Sequence, residues 1–174
     1  MNKYGYILVC FAMAALLAAA CVQSGVEGAE VLEYFPVDDL ENVLAGKDAA
    51  IDEEFSFDGS GSLRIDAAET KTVRIFDVKN IDIEKAKLIY SATVKTENLD
   101  GKAYLEMWCR FPGKGEFFSR GLNSTLSGNS DWTRLETVFF LKKGQNPDLV
   151  KLNLVVEGKG TVWIDDVKLY KGEL

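Results

Sequence analysis

From Val31 onward, apolar and polar residues alternate with a period of two in short runs separated by Gly, Asn, Asp and Ser. No window sustains a 3.6-residue period over a helical length, so the pattern predicts an all-β chain. Strands are expected at Ser62–Asp66, Val73–Val78, Leu88–Thr96, Ala103–Phe111, Arg134–Leu141, Leu149–Glu157 and Thr161–Tyr170, with fainter ones at Val31–Phe35 and Glu116–Arg120. Turn residues fall between them at Asp58-Gly59-Ser60-Gly61, Asp100-Gly101, Pro112-Gly113-Lys114-Gly115, Ser127-Gly128-Asn129 and Gly158-Lys159-Gly160. Short strands with few helix signals point to a two-sheet antiparallel β-sandwich. The segment Val37 to Ala50 reads as one turn of helix or as a covering loop, through Leu40, Val43 and Leu44. With no repeat or second domain evident, residues 31–174 form a single β-sandwich domain, long enough to bury a core without disulfides.

The first residues follow another pattern. Lys3 is the only charged residue before Glu27, and Tyr6 to Val22 is an apolar stretch ending in Leu16-Leu17-Ala18-Ala19-Ala20-Cys21. A basic start, an apolar middle and a small-residue end describe a secretory signal. A transmembrane helix needs ~20 apolar residues, and this stretch is shorter and Ala-rich. The run into Cys21 resembles the lipobox of bacterial lipoprotein signal peptides. That resemblance implies a signal peptide over residues 1–21, lipidation of Cys21 and attachment to the cell envelope. Val22, in the place where an Asp would retain the protein at the inner membrane, implies the outer membrane. Residues 22–30 are small and aperiodic, as in a flexible linker. Cys109 is then the lone cysteine of the folded part, so no intramolecular disulfide is expected, and its strand position suits a buried small hydrophobe.

Composition narrows the chemistry. None of the 174 residues is histidine, which excludes His-based triads, His-ligated zinc and imidazole acid/base catalysis. The 20 Lys and Arg residues are outnumbered by 27 Asp and Glu, and the net charge of −7 disfavours nucleic acid as a partner.

Three segments carry a second resemblance: Asp58-Gly59-Ser60-Gly61-Ser62-Leu63-Arg64-Ile65, Gly128-Asn129-Ser130-Asp131-Trp132-Thr133-Arg134-Leu135-Glu136, and Gly160-Thr161-Val162-Trp163-Ile164-Asp165-Asp166-Val167-Lys168-Leu169. Their order and separation resemble carbohydrate-binding modules of the family 4/9 type. The resemblance implies a galactose-binding-like jelly roll, with ligand held across its concave sheet.

The strand Ala103–Phe111 is the most informative for a site. Alternation sends Leu105, Met107, Cys109 and Phe111 to one side and Tyr104, Glu106, Trp108 and Arg110 to the other. Two large aromatics interleaved with a carboxylate and a guanidinium suit a sugar, whose C–H faces stack on rings while its hydroxyls take directional hydrogen bonds. Asn153 and Lys151 could add an amide and a charge, and Glu116–Arg120 could wall the cleft. The plainer reading is that the rings lie under a loop and the charges pair across strands.

Asp165 poses a separate question, because Trp163, Asp165, Val167 and Leu169 share one parity and, without a bulge, would point one way. A buried carboxylate needs compensation. Structural Ca2+, joined by Glu41 or Asp39, is one answer in line with the resemblance; backbone N–H groups or an arginine are the other. The expectation is a non-catalytic, lipid-anchored glycan binder that requires no cofactor. A structural lipoprotein docking an envelope protein partner through the same face is the alternative. Glu106 has no second acid on its face with which to hydrolyse a glycoside.

Overall fold

The computed structural model describes residues 28–174; the expected signal peptide, the expected lipidation site at Cys21 and the expected linker up to Glu27 lie outside the described residues. Among the described residues the chain forms β1 (Glu30–Phe35), β2 (Ala50–Asp52), β3 (Ser62–Ala67), β4 (Lys71–Lys79), β5 (Ala86–Phe111), β6 (Gly115–Arg120), β7 (Leu126–Leu141), β8 (Leu149–Glu157) and β9 (Gly160–Gly172). Every pairing between them is antiparallel. They build an all-β sandwich of the jelly-roll kind.

One layer sets β7 and the first half of β5 beside β9, with β1 and β3 on separate stretches of β9 and β2 outside β3. The other layer runs β6, the second half of β5, β8 and β4. The strands expected at Leu88–Thr96 and Ala103–Phe111 are thus one element. Its chain bends near Asn98, which takes a left-handed φ of 51°, and passes from one layer to the other. Pairing of Leu99 with Gly128 persists through the bend, so hydrogen bonding is continuous around this edge.

The core lies between the layers, where alternation directs it. Leu88, Tyr90, Ala92 and Val94 face Leu105, Met107, Cys109 and Phe111 of the same strand, with Val150, Leu152, Leu154 and Val156 of β8 beside them. Each fully buried aliphatic or aromatic side chain contributes roughly 1.5–3 kcal/mol relative to exposure. Cys109 is the free thiol of this core, and burial pushes its pKa up to about 12.

Two readings are corrected and one open alternative is resolved. Ser127-Gly128-Asn129 is not a turn but lies inside β7, where Gly128 at φ 63° absorbs an irregular register opposite the β5 bend. The strand β2 was not expected; three residues are too few to display a period. The segment after Val37 is a covering loop carrying one 3-10 turn at Gly46–Asp48, tied to β4 by the Leu44 N–H donating to the Ile75 carbonyl at 2.8 Å.

The last strand holds the bulge that decides where its side chains go. Asp166 has a φ of 50°, and the β5–β9 register shifts between Ser91 and Thr93 at this point. Before the bulge Val162 and Ile164 enter the core; after it Val167 and Leu169 do. Trp163 and Asp165 therefore face away from the core, although they share a sequence parity with Val167 and Leu169. One extra residue has reversed the alternation.

Candidate functional site

Period 2 places Tyr104, Glu106, Trp108 and Arg110 on the face of β5 opposite the core, and register brings their neighbours alongside. Glu106 pairs with Asn153 on β8 and Arg120 on β6; Trp108 pairs with Lys151 and Phe118. All five ligand-binding candidates, Tyr104, Glu106, Trp108, Arg110 and Asn153, thus share one sheet face, and neither Tyr104 nor Trp108 belongs to the core cluster.

Their availability differs sharply. Glu106 is only 3% exposed and sits at the centre of a polar network. Its Oε1 accepts from Trp108 Nε1 at 2.7 Å and from Asn153 Nδ2 at 3.1 Å, while its Oε2 accepts from Arg120 Nε at 2.7 Å. Burial alone would raise this carboxyl, but the bonds from Arg120, Trp108 and Asn153 outweigh it and hold the group below its ordinary value. Glu106 is therefore an ionised bracket that fixes the indole, the amide and the guanidinium in place.

Tyr104, at 4% exposure, is covered rather than presented. Its hydroxyl donates to Glu157 Oε1 at 3.0 Å, and Lys102 lies 5.6 Å above its ring. Burial, helped by the Glu157 carboxylate, raises its pKa. Arg110 is exposed but held by Asp148 at 2.8 Å, and Lys151 pairs with Glu116 at 2.7 Å. The accessible aromatic surface is instead the half-buried Trp108 ring with Phe118, centroids 4.9 Å apart and planes tilted by 42°. Phe118 is 49% exposed, and the Arg120 guanidinium lies 4.7 Å above its ring. Asn153 Oδ1 is buried and has no hydrogen-bond partner. The face thus offers an aromatic step and a guanidinium edge, with an unpartnered amide oxygen enclosed beneath them.

Arg120 is the residue the sequence reading missed as a site member. The β6 strand was expected as a wall, but the guanidinium's bond to Glu106 depends on a cross-strand register that a single strand does not reveal.

The other candidates, Asp165 and Glu41, are placed differently. Asp165 is fully buried; its Oδ2 accepts from the Phe57 N–H at 2.8 Å and its Oδ1 from the Asp166 N–H at 2.7 Å. Burial raises its pKa against these two bonds, with Asp58 and Asp38 adding like charge. Glu41 is exposed, and its N–H donates to Asp39 Oδ1. Calcium takes six to eight oxygen ligands. Here N–H donors take up both Asp165 oxygens, and among the described residues no group of three or more acidic or cysteine side chains is placed to hold a metal. The residues present do not fit a calcium ion.

No protein-family model and no curated protein matches this sequence. Solved structures do match its fold. The CBM22-1 xylan-binding domain of Paenibacillus barcinonensis Xyn10C is similar with a TM-score of 0.59 and 14% identity, over 84% of this chain and 97% of that one. The CBM22-1–GH10 modules of Clostridium thermocellum Xyn10B, complexed with xylohexaose, give 0.58 and 13% over 82% of this chain, which spans only 28% of that larger protein. A family 16 carbohydrate-binding module gives 0.53 and 13%, over 76% of this chain and 95% of that one. The chain therefore has the fold of a carbohydrate-binding module.

Proposed function

We propose that this protein is a non-catalytic glycan-binding module, held at the cell envelope by lipid on Cys21, with its ligand lying across the β6–β5–β8 face. Within the carbohydrate-binding modules we assign it to the family 4/9 type, on the three segments that begin at Asp58, Gly128 and Gly160. The observation that carries the reading is the Trp108–Phe118 step beside Asn153 Oδ1. Half-exposed rings stand next to a buried polar acceptor without a partner, all fixed by one ionised carboxylate. A sugar supplies a C–H face for the rings and hydroxyl acceptors for the exposed Arg120 guanidinium beside them. The xylan-binding domain and the xylohexaose complex among the structural neighbours support the same ligand class. Catalysis is disfavoured because glycoside hydrolysis requires two carboxyls facing each other across the bond. Glu106 is surrounded by donors, and Glu116 is tied to Lys151.

Calorimetry with xylohexaose, preceded by a glycan array to find better ligands, tests this. Trp108→Ala is expected to weaken binding at least about tenfold, ~1.4 kcal/mol, while the melting temperature stays high enough to keep the protein folded. Unchanged affinity for the best ligand would remove this face from the function.

A further inference from the structure

The opposite layer carries a hollow of about 260 Å³, formed where β9, β5 and β7 meet the loop that follows β2. Phe55 and Trp163 supply its apolar lining, and Lys95, Glu97 and Asp131 are among its polar groups. Trp163 reaches this side through the β9 bulge. Its ring is 2% exposed and lies 5.2 Å from Phe55, which is 40% exposed.

The fixing of Phe55 is what gives this hollow meaning. Asp52 Oδ1 accepts the N–H groups of Glu54 at 3.0 Å and Phe55 at 3.1 Å, and Asp52 Oδ2 accepts Trp163 Nε1 at 2.9 Å. Ser62 Oγ donates to the Phe55 carbonyl, and Asp165 holds the Phe57 N–H. The Phe55 ring is 40% exposed, while its backbone N–H and the Trp163 indole N–H are both anchored on one carboxylate, that of Asp52. Such preorganisation favours a ligand that stacks on the ring.

Charge and size narrow the occupant. Lys95 pairs with Asp131 at 3.2 Å, whereas the exposed Glu97 carboxylate has no ion-pair or hydrogen-bond partner among the described residues. These three groups sum to a single negative charge, offset by the Arg64 guanidinium 5.5 Å over the Trp163 ring, so the hollow suits a neutral ligand whose hydroxyls donate hydrogen bonds to a carboxylate. The volume is below that of drug-sized pockets and suits one ring rather than a chain. We propose that this hollow is a second binding site that takes one neutral pyranose, stacked on Phe55 with its hydroxyls on Glu97 and Lys95. It lies on the other layer from Trp108 and does not depend on that face being a site.

Calorimetry on the full-length protein with the methyl glycosides of xylose, glucose, galactose and mannose tests it. At least one of the four should bind saturably, with affinity falling about tenfold in Phe55→Ala, about threefold in Glu97→Gln and not at all in Trp108→Ala. Glu97 is exposed, so its variant keeps the test sound if Phe55→Ala proves unstable. No saturable binding of any methyl glycoside overturns the proposal, as does binding that Trp108→Ala abolishes and Phe55→Ala and Glu97→Gln leave intact. If the Phe55-dependent site appears while xylohexaose affinity ignores Trp108→Ala, only the reading of the other face fails.

Discussion

Glu106 sets the chemistry of its sheet face through ionisation, and this gives a pH signature. Its folded-state pKa is depressed, so the stability it contributes is present above the unfolded carboxyl value of roughly 4.3 and disappears as pH falls through the lower folded value. Glu106→Gln keeps an acceptor for Trp108 and Asn153 but loses the ion pair with the partly exposed Arg120. At pH 7 the variant should melt a few degrees below the natural protein, a loss of about 1–2 kcal/mol after allowing for the exposure of Arg120. Thermal denaturation from pH 7 to pH 3 should show the two curves converging on the acid side. A gap that stays constant would mean that packing, not charge, holds the network.

Among the elements, the bend of β5 is the most tightly constrained. Asp100 N–H donates to the Lys159 carbonyl at 2.9 Å, and Lys159 N–H returns a bond to Asp100 Oδ1. A Cβ added at Gly101 would come within 2.1 Å of the Glu157 carbonyl oxygen, a backbone atom that no rotamer change can move aside. Gly101→Ala should therefore destabilise the protein by at least about 2 kcal/mol, measured by urea denaturation. This bend also marks the limit of sequence reading. The β8 strand was legible to its end residues because its alternation is unbroken, and the Ala103–Phe111 stretch because its two faces differ so plainly. The junction of the two halves of β5 was not legible, since Asn98 to Gly101 carries the residues of a turn and only tertiary pairing makes it continuous. In β9 the same blindness arises from Asp166, whose left-handed backbone is invisible in a pattern of alternating letters. The candidate face was legible as a set of side chains sharing one side. The burial of Tyr104 and Glu106 was not, because it comes from Asn153, Arg120 and other neighbours on strands far away in sequence. Phe55, in a loop with no period, gave no signal.

At the level of the whole molecule, the aromatic step on one layer and the anchored phenyl ring on the other would let the two proposed sites meet a polymer from two sides. The proposed lipid anchor on Cys21 is testable. Cys21→Ser should leave the protein unacylated and recover it in the aqueous phase after detergent partition; retention in the detergent phase would refute lipid attachment. The interior of the described domain depends on no covalent bridge: the thiol of Cys109 is sealed among aliphatic neighbours and protonated across the physiological range. The domain can consequently reach its native state in reducing or oxidising surroundings alike, with no oxidant required for folding.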